Sequence, residues 1–206
     1  ASLATTPALK TRLPYDPVRD FAPVGMVASA PLMLVVHPSV TARDARELVA
    51  LAKAKPGALN YASGGVGGLS HLAGELLKSL AGVDLVHVPF TGGGPSTIAT
   101  VAGQVQVFFA GMASAVPLVK DGKLRGLGVT SATRTAAAPE HPTIAESGVP
   151  GYEIVTWFAL VAPAGTPAPI IARLNAELNK AVQAPDTRRR FLELATDPVT
   201  STPAEL

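Results

Sequence analysis

The chain has no cysteine among its 206 residues. This absence excludes disulfide bonds, thiol catalysis, and zinc or iron–sulfur sites built on cysteine ligands. The four histidines lie at positions 37, 71, 87 and 141, and no pair shows the short spacing of a metal-binding helix. We therefore expect no metal site and no cofactor.

Charge of one sign and long apolar runs are also scarce. Lysine and arginine number 17 against 15 acidic residues, a net charge of +2. Such a small excess does not supply the dense positive surface that binds phosphates, so we expect no nucleic-acid partner. The longest mostly apolar run, residues 24–36, has 13 residues and contains Pro31. A membrane-spanning helix needs about 20 residues, so none is predicted.

What the chain does have is apolar content and frequent turn residues. Apolar residues make up 48% of the sequence, with 19 glycines and 19 prolines. Two strands are predicted at 21–27 and 31–36, divided near Ser29. A capping box at residues 41–44 is predicted to open a helix. Between 59 and 130, four short apolar strands alternate with helices, and this alternation predicts an α/β fold with a parallel sheet.

After Ser131 the pattern changes. Residues 131–142 are predicted to be a linker, followed by a short helix capped at Thr143 and a strand over 154–162. Trp157 and Phe158 in this strand are expected to be core aromatics. Thr166 and Pro167 are predicted to cap a long helix, and a final helix is predicted after Pro185.

Two glycine-rich turns are the most informative local feature. Residues 64–68 follow a predicted strand and precede a helix at Ser70, and residues 92–94 repeat this arrangement one β-α unit later. Helix N-termini present unpaired N–H groups and a positive dipole end, which bind anions. The carboxyl ends of parallel strands are also where α/β sheets bind ligands. The alternative is that these glycines only allow tight turns. Neither turn matches a nucleotide-binding pattern.

Catalytic groups are not suggested by the sequence. Ser70 and His71 are neighbours, but adjacent residues on a helix point in different directions and cannot pair as nucleophile and base. His71 is open to two interpretations, donation to an anion or a structural surface role. His87, within an alternating strand, is expected to be buried and hydrogen-bonded, and Phe90 is expected to line a pocket. We expect the chain not to be an enzyme.

Five segments resemble one known family, the tripartite tricarboxylate transporter substrate-binding proteins, called TctC or Bug. The segments are LPYDPVRDFAPV at 13–24, PGALNYASG at 56–64, SHLAGE at 70–75, VHVPFTGG at 86–93 and WFALVAPAGTP at 157–167. They follow one another in order across nearly the whole chain, so the resemblance is highly specific.

The resemblance implies a periplasmic binding protein of type II-like fold, with two lobes of parallel-type sheets that close about a hinge. Residues 1–36 would form part of lobe one, 37–128 lobe two, and 129–206 the return to lobe one. Such a receptor binds a small carboxylate and delivers it to a membrane permease without catalysis. Carried onto this chain, the ligand-binding residues are Ser63, Gly64, Gly65, Gly67, Ser70, His71, Phe90, Thr91 and Gly92.

Two departures from the family pattern shape the expectations. Members usually begin with roughly 80–90 further residues, which would bring the chain to a typical two-domain size. The chain is therefore interpreted as truncated at both ends, with lobe one incomplete and possible self-association through its exposed faces. The alternative function is an interaction or structural protein that binds no solute.

The second departure lies in the strand at 105–109 and the residues after it. Relatives commonly have acidic residues where this chain has Gln106 and Ala110. Without a carboxylate at Ala110, a role in binding a ligand amine is lost. We therefore expect a non-amino carboxylate ligand.

Overall fold

The computed structural model describes residues 13–136 and 138–206. Residues 1–12 of the expected lobe-one segment and residue 137 of the expected linker lie outside this part. The chain divides into two compact units. One is Pro31–Val155, here called the central unit, and the other, the flanking unit, combines the described residues before Pro31 with Thr156–Leu206. The expected lobe boundaries at 36/37 and 128/129 stay a prediction.

Five strands form the sheet of the central unit, in the order β3-β2-β4-β1-β5. The strands are β1 Phe21–Val36, β2 Asn60–Ser63, β3 Val86–Pro89, β4 Val107–Gly111 and β5 Arg125–Val129. β2 is parallel to both β3 and β4, as the β-α alternation predicts. The central strand β1 is antiparallel to its neighbours β4 and β5, so the sheet is mixed rather than wholly parallel.

The strand β1 also corrects the expectation of two strands divided near Ser29. It is one continuous strand that changes partners along its length. Its earlier half pairs with β7 at Ala28 and Ser29, whereas its later half pairs with β4 from Leu32 onward. Pro31 lies at this change of partners, where a residue without an N–H donor costs no ladder hydrogen bond.

Four helices connect the strands of the central unit. They are α1 Ala45–Ala54, α2 Leu69–Ala81, α3 Gly93–Val101 and α4 Met112–Lys120. The capping box expected at residues 41–44 is wrong in register, because Asp44 is the N-cap and its carboxylate accepts the Glu47 N–H at 2.8 Å. The Glu47 side chain in turn accepts the Arg43 N–H at 2.8 Å. Gly82 ends α2 in the left-handed conformation, at φ +61°.

Buried side chains from the sheet and from helices α1 and α2 form the core of the central unit. The closest packing in it joins β2 to α2. Tyr61 is fully buried, and its ring lies so near Gly74 that a Cβ at that position would clash with the ring. A glycine at position 74 is therefore required for α2 to lie against β2.

The flanking unit contains the earlier half of β1, strands β6 Val155–Pro163 and β7 Asp197–Pro198, and helices α5 Ala168–Gln183 and α6 Pro185–Glu193. The Asn175 amide of α5 donates to the carbonyls of Val24 and Ser201, each at 2.7 Å. Trp157 is half-buried, but Phe158 is 50% exposed, which contradicts the expectation that Phe158 is a core aromatic.

Two predicted helix starts also differ from the structure. Thr143 and Glu146 exchange the hydrogen bonds of a capping box, at 2.9 and 3.0 Å, but the box closes a turn rather than a helix. The Thr166 hydroxyl, which precedes α5, donates to the Pro163 carbonyl instead of capping the helix.

The substitution Gly74→Ala tests the packing of α2 on β2. The added methyl group meets the buried Tyr61 ring, so we expect the free energy of unfolding to fall by roughly 3 kcal/mol, as for overpacked cores. Urea denaturation followed by circular dichroism measures it. The matched control is Gly94→Ala, where a Cβ meets nothing within 4 Å, and its effect should stay within about 0.5 kcal/mol. Equal stabilities for the two variants would contradict the packing argument.

Candidate functional site

Three helices of the central unit begin at the same edge of the sheet. Because β3, β2 and β4 are parallel, their carboxyl ends share one edge, and α3, α2 and α4 follow them directly. The N-caps of these helices are all glycines, Gly68, Gly92 and Gly111. The edge therefore concentrates three positive helix ends and their N–H groups. The α4 start was not among the predicted site residues, although Gly111 after a strand is the pattern that marked the other two.

The two predicted glycine turns lie side by side at this edge. The first glycine turn is residues 64–68 and the second is residues 91–94. A Cβ on Gly64 would lie 3.2 Å from the backbone of Gly92 and Gly93. The Phe90 N–H also donates to the Ser63 carbonyl at 2.8 Å, which ties the start of one turn to the start of the other.

Side chains occupy three backbone N–H groups of the first glycine turn. Gly64 donates to the Ser70 hydroxyl at 3.0 Å, and Gly67 donates to His71 Nδ1 at 3.1 Å. Gly65 donates to the Ser63 hydroxyl at 3.2 Å. These contacts hold the turn in shape from within, so Gly64, Gly65 and Gly67 do not offer free donors in this arrangement.

Other backbone donors at this edge are unoccupied. Among the hydrogen bonds of residues 13–136 and 138–206, none uses the N–H groups of Leu69, Ser70, Thr91, Gly92, Gly93 and Gly94. Two of these residues open α2 and the rest form the second glycine turn and the start of α3. The donors that remain for an anion therefore belong mainly to the second turn and to the helix ends.

Three aromatic rings beside the first glycine turn, here called the stack, are in contact: His87 is stacked on Tyr61 and tilted against His71. His87 lies 4.9 Å from Tyr61 and 4.1 Å from His71, measured between ring centroids. Because Nδ1 of His71 accepts the Gly67 N–H, its neutral ring carries its proton on Nε2. His71 thus holds the turn through Nδ1, and the donation of its Nε2–H to an anion stays a prediction.

The structure contains the hydrogen bond that the sequence predicts for His87. Its Nε2 lies 2.6 Å from the Ser63 hydroxyl, but the ring is half-buried rather than buried as expected. This is the spacing of a nucleophile and its base, which the sequence did not suggest because the two residues are 24 positions apart. Ser63 is fully buried, however, so no substrate reaches its oxygen.

The electrostatics around the stack involve one carboxylate and one ammonium. The Tyr61 hydroxyl donates to Glu75 Oε1 at 2.6 Å, and Lys78 donates to the same oxygen at 3.0 Å. Burial raises the pKa of Glu75, but these two donors outweigh it and the pKa is lowered. Burial, followed by the effects of His71 and Lys78, lowers the pKa of His87 from 6.5 despite the opposing effect of Glu75.

The remaining predicted positions are less enclosed. Phe90 is half-buried and Thr91 is exposed. Ala110, in β4, is buried. Two open recesses of the described chain, about 290 Å³ beside Arg125 and His141 and about 720 Å³ along α5 and α6, include none of the predicted site residues.

Within the described ranges, no three acidic or histidine side chains group as metal ligands. No helix there is long and apolar enough to cross a bilayer.

The sequence profile of TctC, described as the tripartite tricarboxylate transporter family receptor, matches residues 1–205. The chain belongs to this family. The resemblance carried by the five sequence segments is thereby confirmed. TctC proteins are receptors and not enzymes.

Named relatives of the chain include other TctC-type proteins. It is 43% identical over 184 residues to the UPF0065 protein in the tcbD-tcbE intergenic region of Pseudomonas sp. strain P51, covering 89% of this chain and 55% of the relative. It is 34% identical to Protein BugT of Bordetella pertussis, covering 98% and 62% respectively. The chain thus spans less than two thirds of the length of these relatives.

Solved TctC-type structures share the fold. R. palustris Rpa4515, solved with adipate, superposes with a TM-score of 0.81 at 33% identity, covering 95% of this chain and 65% of that one. MatC from Rhodopseudomonas palustris, with bound malate, has a TM-score of 0.73 at 34% identity and the same coverages. A TctC solute binding protein from Polaromonas has a TM-score of 0.84 at 25% identity, covering all of this chain and 69% of that one. The expected fold class is confirmed.

The lowered pKa of His87 predicts a pH dependence of stability. The histidine takes up a proton more readily in the unfolded chain than in the folded chain. Protonation therefore favours the unfolded chain, so the free energy of unfolding is highest above the unfolded pKa near 6.5 and decreases as the pH falls below that value. Urea unfolding at pH values of about 7.5, 6.5 and 5.5 should show this decline. In His87→Phe the decline should be smaller, and an identical slope in both proteins would contradict the prediction.

Proposed function

We propose that the chain belongs to a periplasmic receptor that binds a small carboxylate for a tripartite tricarboxylate transporter. The observation that carries this proposal is the meeting of three helix N-termini and two glycine turns at one edge of the central sheet. Neutral N–H donors at helix ends bind a carboxylate without a paired cation. The membrane permease of that transporter is the proposed partner.

The ligands of two structural neighbours support a carboxylate. Rpa4515 was solved with adipate and MatC with malate, and both ligands are carboxylates. Both neighbours match 95% of this chain at 33–34% identity. These two acids are therefore the probes for a first binding experiment.

The predicted site residues divide into two proposed roles. Ser63, Gly64, Gly65 and Gly67 shape the first glycine turn, since their hydrogen-bonding groups are used internally. The proposed ligand contacts are Ser70, His71 through Nε2, Phe90, Thr91 and Gly92, joined by the N–H groups of Gly93 and the start of α4. Residues 37–128 form lobe two in this proposal. With Ala110 in place of an acidic residue, the ligand would lack an amino group.

A second candidate function rests on the flanking unit. Its helices bury little: Val182 is the buried residue of α5, and α6 has none. Four apolar side chains on or next to these helices are 40–64% exposed, namely Ile170, Leu174, Leu192 and Leu194. Such a surface favours association with another chain. A chain that self-associates and binds neither acid would be an interaction protein, and light scattering beside the binding assay separates the two functions.

The substitution Gly93→Ala tests the proposed ligand edge. Its methyl group enters open space in the structure, so the melting temperature without ligand should not change. Beside the unpaired donors of the second glycine turn, the methyl should obstruct the ligand, and we expect affinity for adipate or malate to fall about ten-fold, or ~1.4 kcal/mol. Isothermal titration calorimetry measures it.

The control variant for this experiment is Ala102→Ser, which changes an exposed residue at the other end of α3. It should bind like the original chain. Unaltered affinity in Gly93→Ala would remove the second glycine turn from the site. If the unmodified chain shows no heat of binding and no thermal shift with either acid, the proposed function is wrong for this chain.

A further inference from the structure

Side chains from two elements, β2 and α2, hold the first glycine turn, and a residue of a third element, β3, joins two of these side chains. Ser63 at the end of β2 accepts the Gly65 N–H, and its hydroxyl lies 3.2 Å from the Gly65 carbonyl. His71 in α2 accepts the Gly67 N–H. His87 in β3 contacts both of these anchors, through Nε2 on Ser63 and through its ring on His71.

The strand register explains how His87 reaches both anchors. In the parallel pairing of β2 with β3, Tyr61 is opposite His87 and Ser63 is opposite Pro89. The His87 ring therefore lies on the same face as Tyr61 and Ser63, on which it stacks and with which it hydrogen-bonds. The charged or titratable groups that surround it are His71, Glu75, Lys78 and the Tyr61 hydroxyl.

We propose that His87 is a positioning residue that fixes both ends of the first glycine turn without touching the ligand. Its Nε2 orients the Ser63 hydroxyl toward Gly65, and its ring holds the His71 ring where Nδ1 meets the Gly67 N–H. The turn then packs against Gly92 and Gly93 and sets the position of the second glycine turn. This inference rests on the proposed function for its ligand readout, but not for its structural readout.

Two substitutions separate the contacts that His87 makes. His87→Phe keeps a ring for the stack on His71 and removes the hydrogen bond to Ser63. His87→Gln keeps a hydrogen-bonding side chain and removes the stack. Exchange of the Gly65 and Gly67 amide protons, measured by NMR without ligand, reports on each anchor separately.

The expected result is a crossed pattern. In His87→Phe the Gly65 amide should exchange about ten-fold faster while Gly67 is little changed, and in His87→Gln the reverse should hold. The Val86 amide, bonded to the Leu59 carbonyl at 2.9 Å, is the internal reference for the sheet. Faster exchange at Val86 to the same extent as at Gly65 and Gly67 would mean general destabilisation and would overturn the proposal. So would no change at either glycine.

A matched control exists at the opposite edge of the sheet. His37 follows the end of β1 and its Nδ1 lies 2.7 Å from the Ser39 hydroxyl, a histidine–serine pair like that of His87. His37→Phe removes this pair and should leave Gly65 and Gly67 exchange unchanged. An effect as large as that of His87→Phe would show that losing any such pair loosens the turn, against the proposal.

Ligand affinity completes the test. Ser63→Ala and His87→Phe remove the same hydrogen bond, so their effects on the Kd for adipate or malate should not add, each being about ten-fold and the double variant similar. Additive losses would overturn the coupling between the two residues. If the unmodified chain binds neither acid, the proposed function fails, and the exchange pattern still decides whether His87 positions the turn.

Discussion

The parallel register of β2 against β3 is the constraint on which the rest of the site depends. It places Tyr61 beside His87, and that pair supports the first glycine turn on one side and the packing of α2 on the other. Tyr61 requires Gly74 beneath its ring and donates to Glu75 one residue further along the helix. A shift of two residues in this register would separate the rings and take His87 away from Ser63.

Local features of the fold were predictable because local residues determine them. The end of α2 at Gly82 follows from a backbone conformation that glycine adopts without strain, and the β-α alternation identifies β2 to β5. The direction of β1 was not predictable in this way. It depends on where the chain enters the central unit, and neither periodicity nor composition carries that information. The sequence places the capping box three residues too early, because Thr41 and Asp44 have the same spacing as Asp44 and Glu47. Only the packing of the helix selects between the two boxes.

The site shows the same division between local and distant information. Both glycine turns are visible in the sequence, since strand, glycine and helix follow one another along the chain. Which of their N–H groups are already occupied is not visible, because it depends on how Ser63, Ser70 and His71 rotate in the folded unit. The contact between Ser63 and His87 is longer-range still and requires knowledge of which strands pair. Motif resemblance recovered the family but not this arrangement of donors.

Thr130, at the end of β5, bonds to both chain segments that connect the central unit with the rest of the protein. It exchanges hydrogen bonds with Leu32 through its hydroxyl and its N–H, and its carbonyl accepts the Ile154 N–H at 2.9 Å. The entry and exit of a unit of more than a hundred residues therefore meet at one buried threonine. A domain whose two ends are adjacent can be inserted into a loop of a host chain. Such a domain can be exchanged between proteins or circularly permuted without breaking the strand pairing of its own sheet.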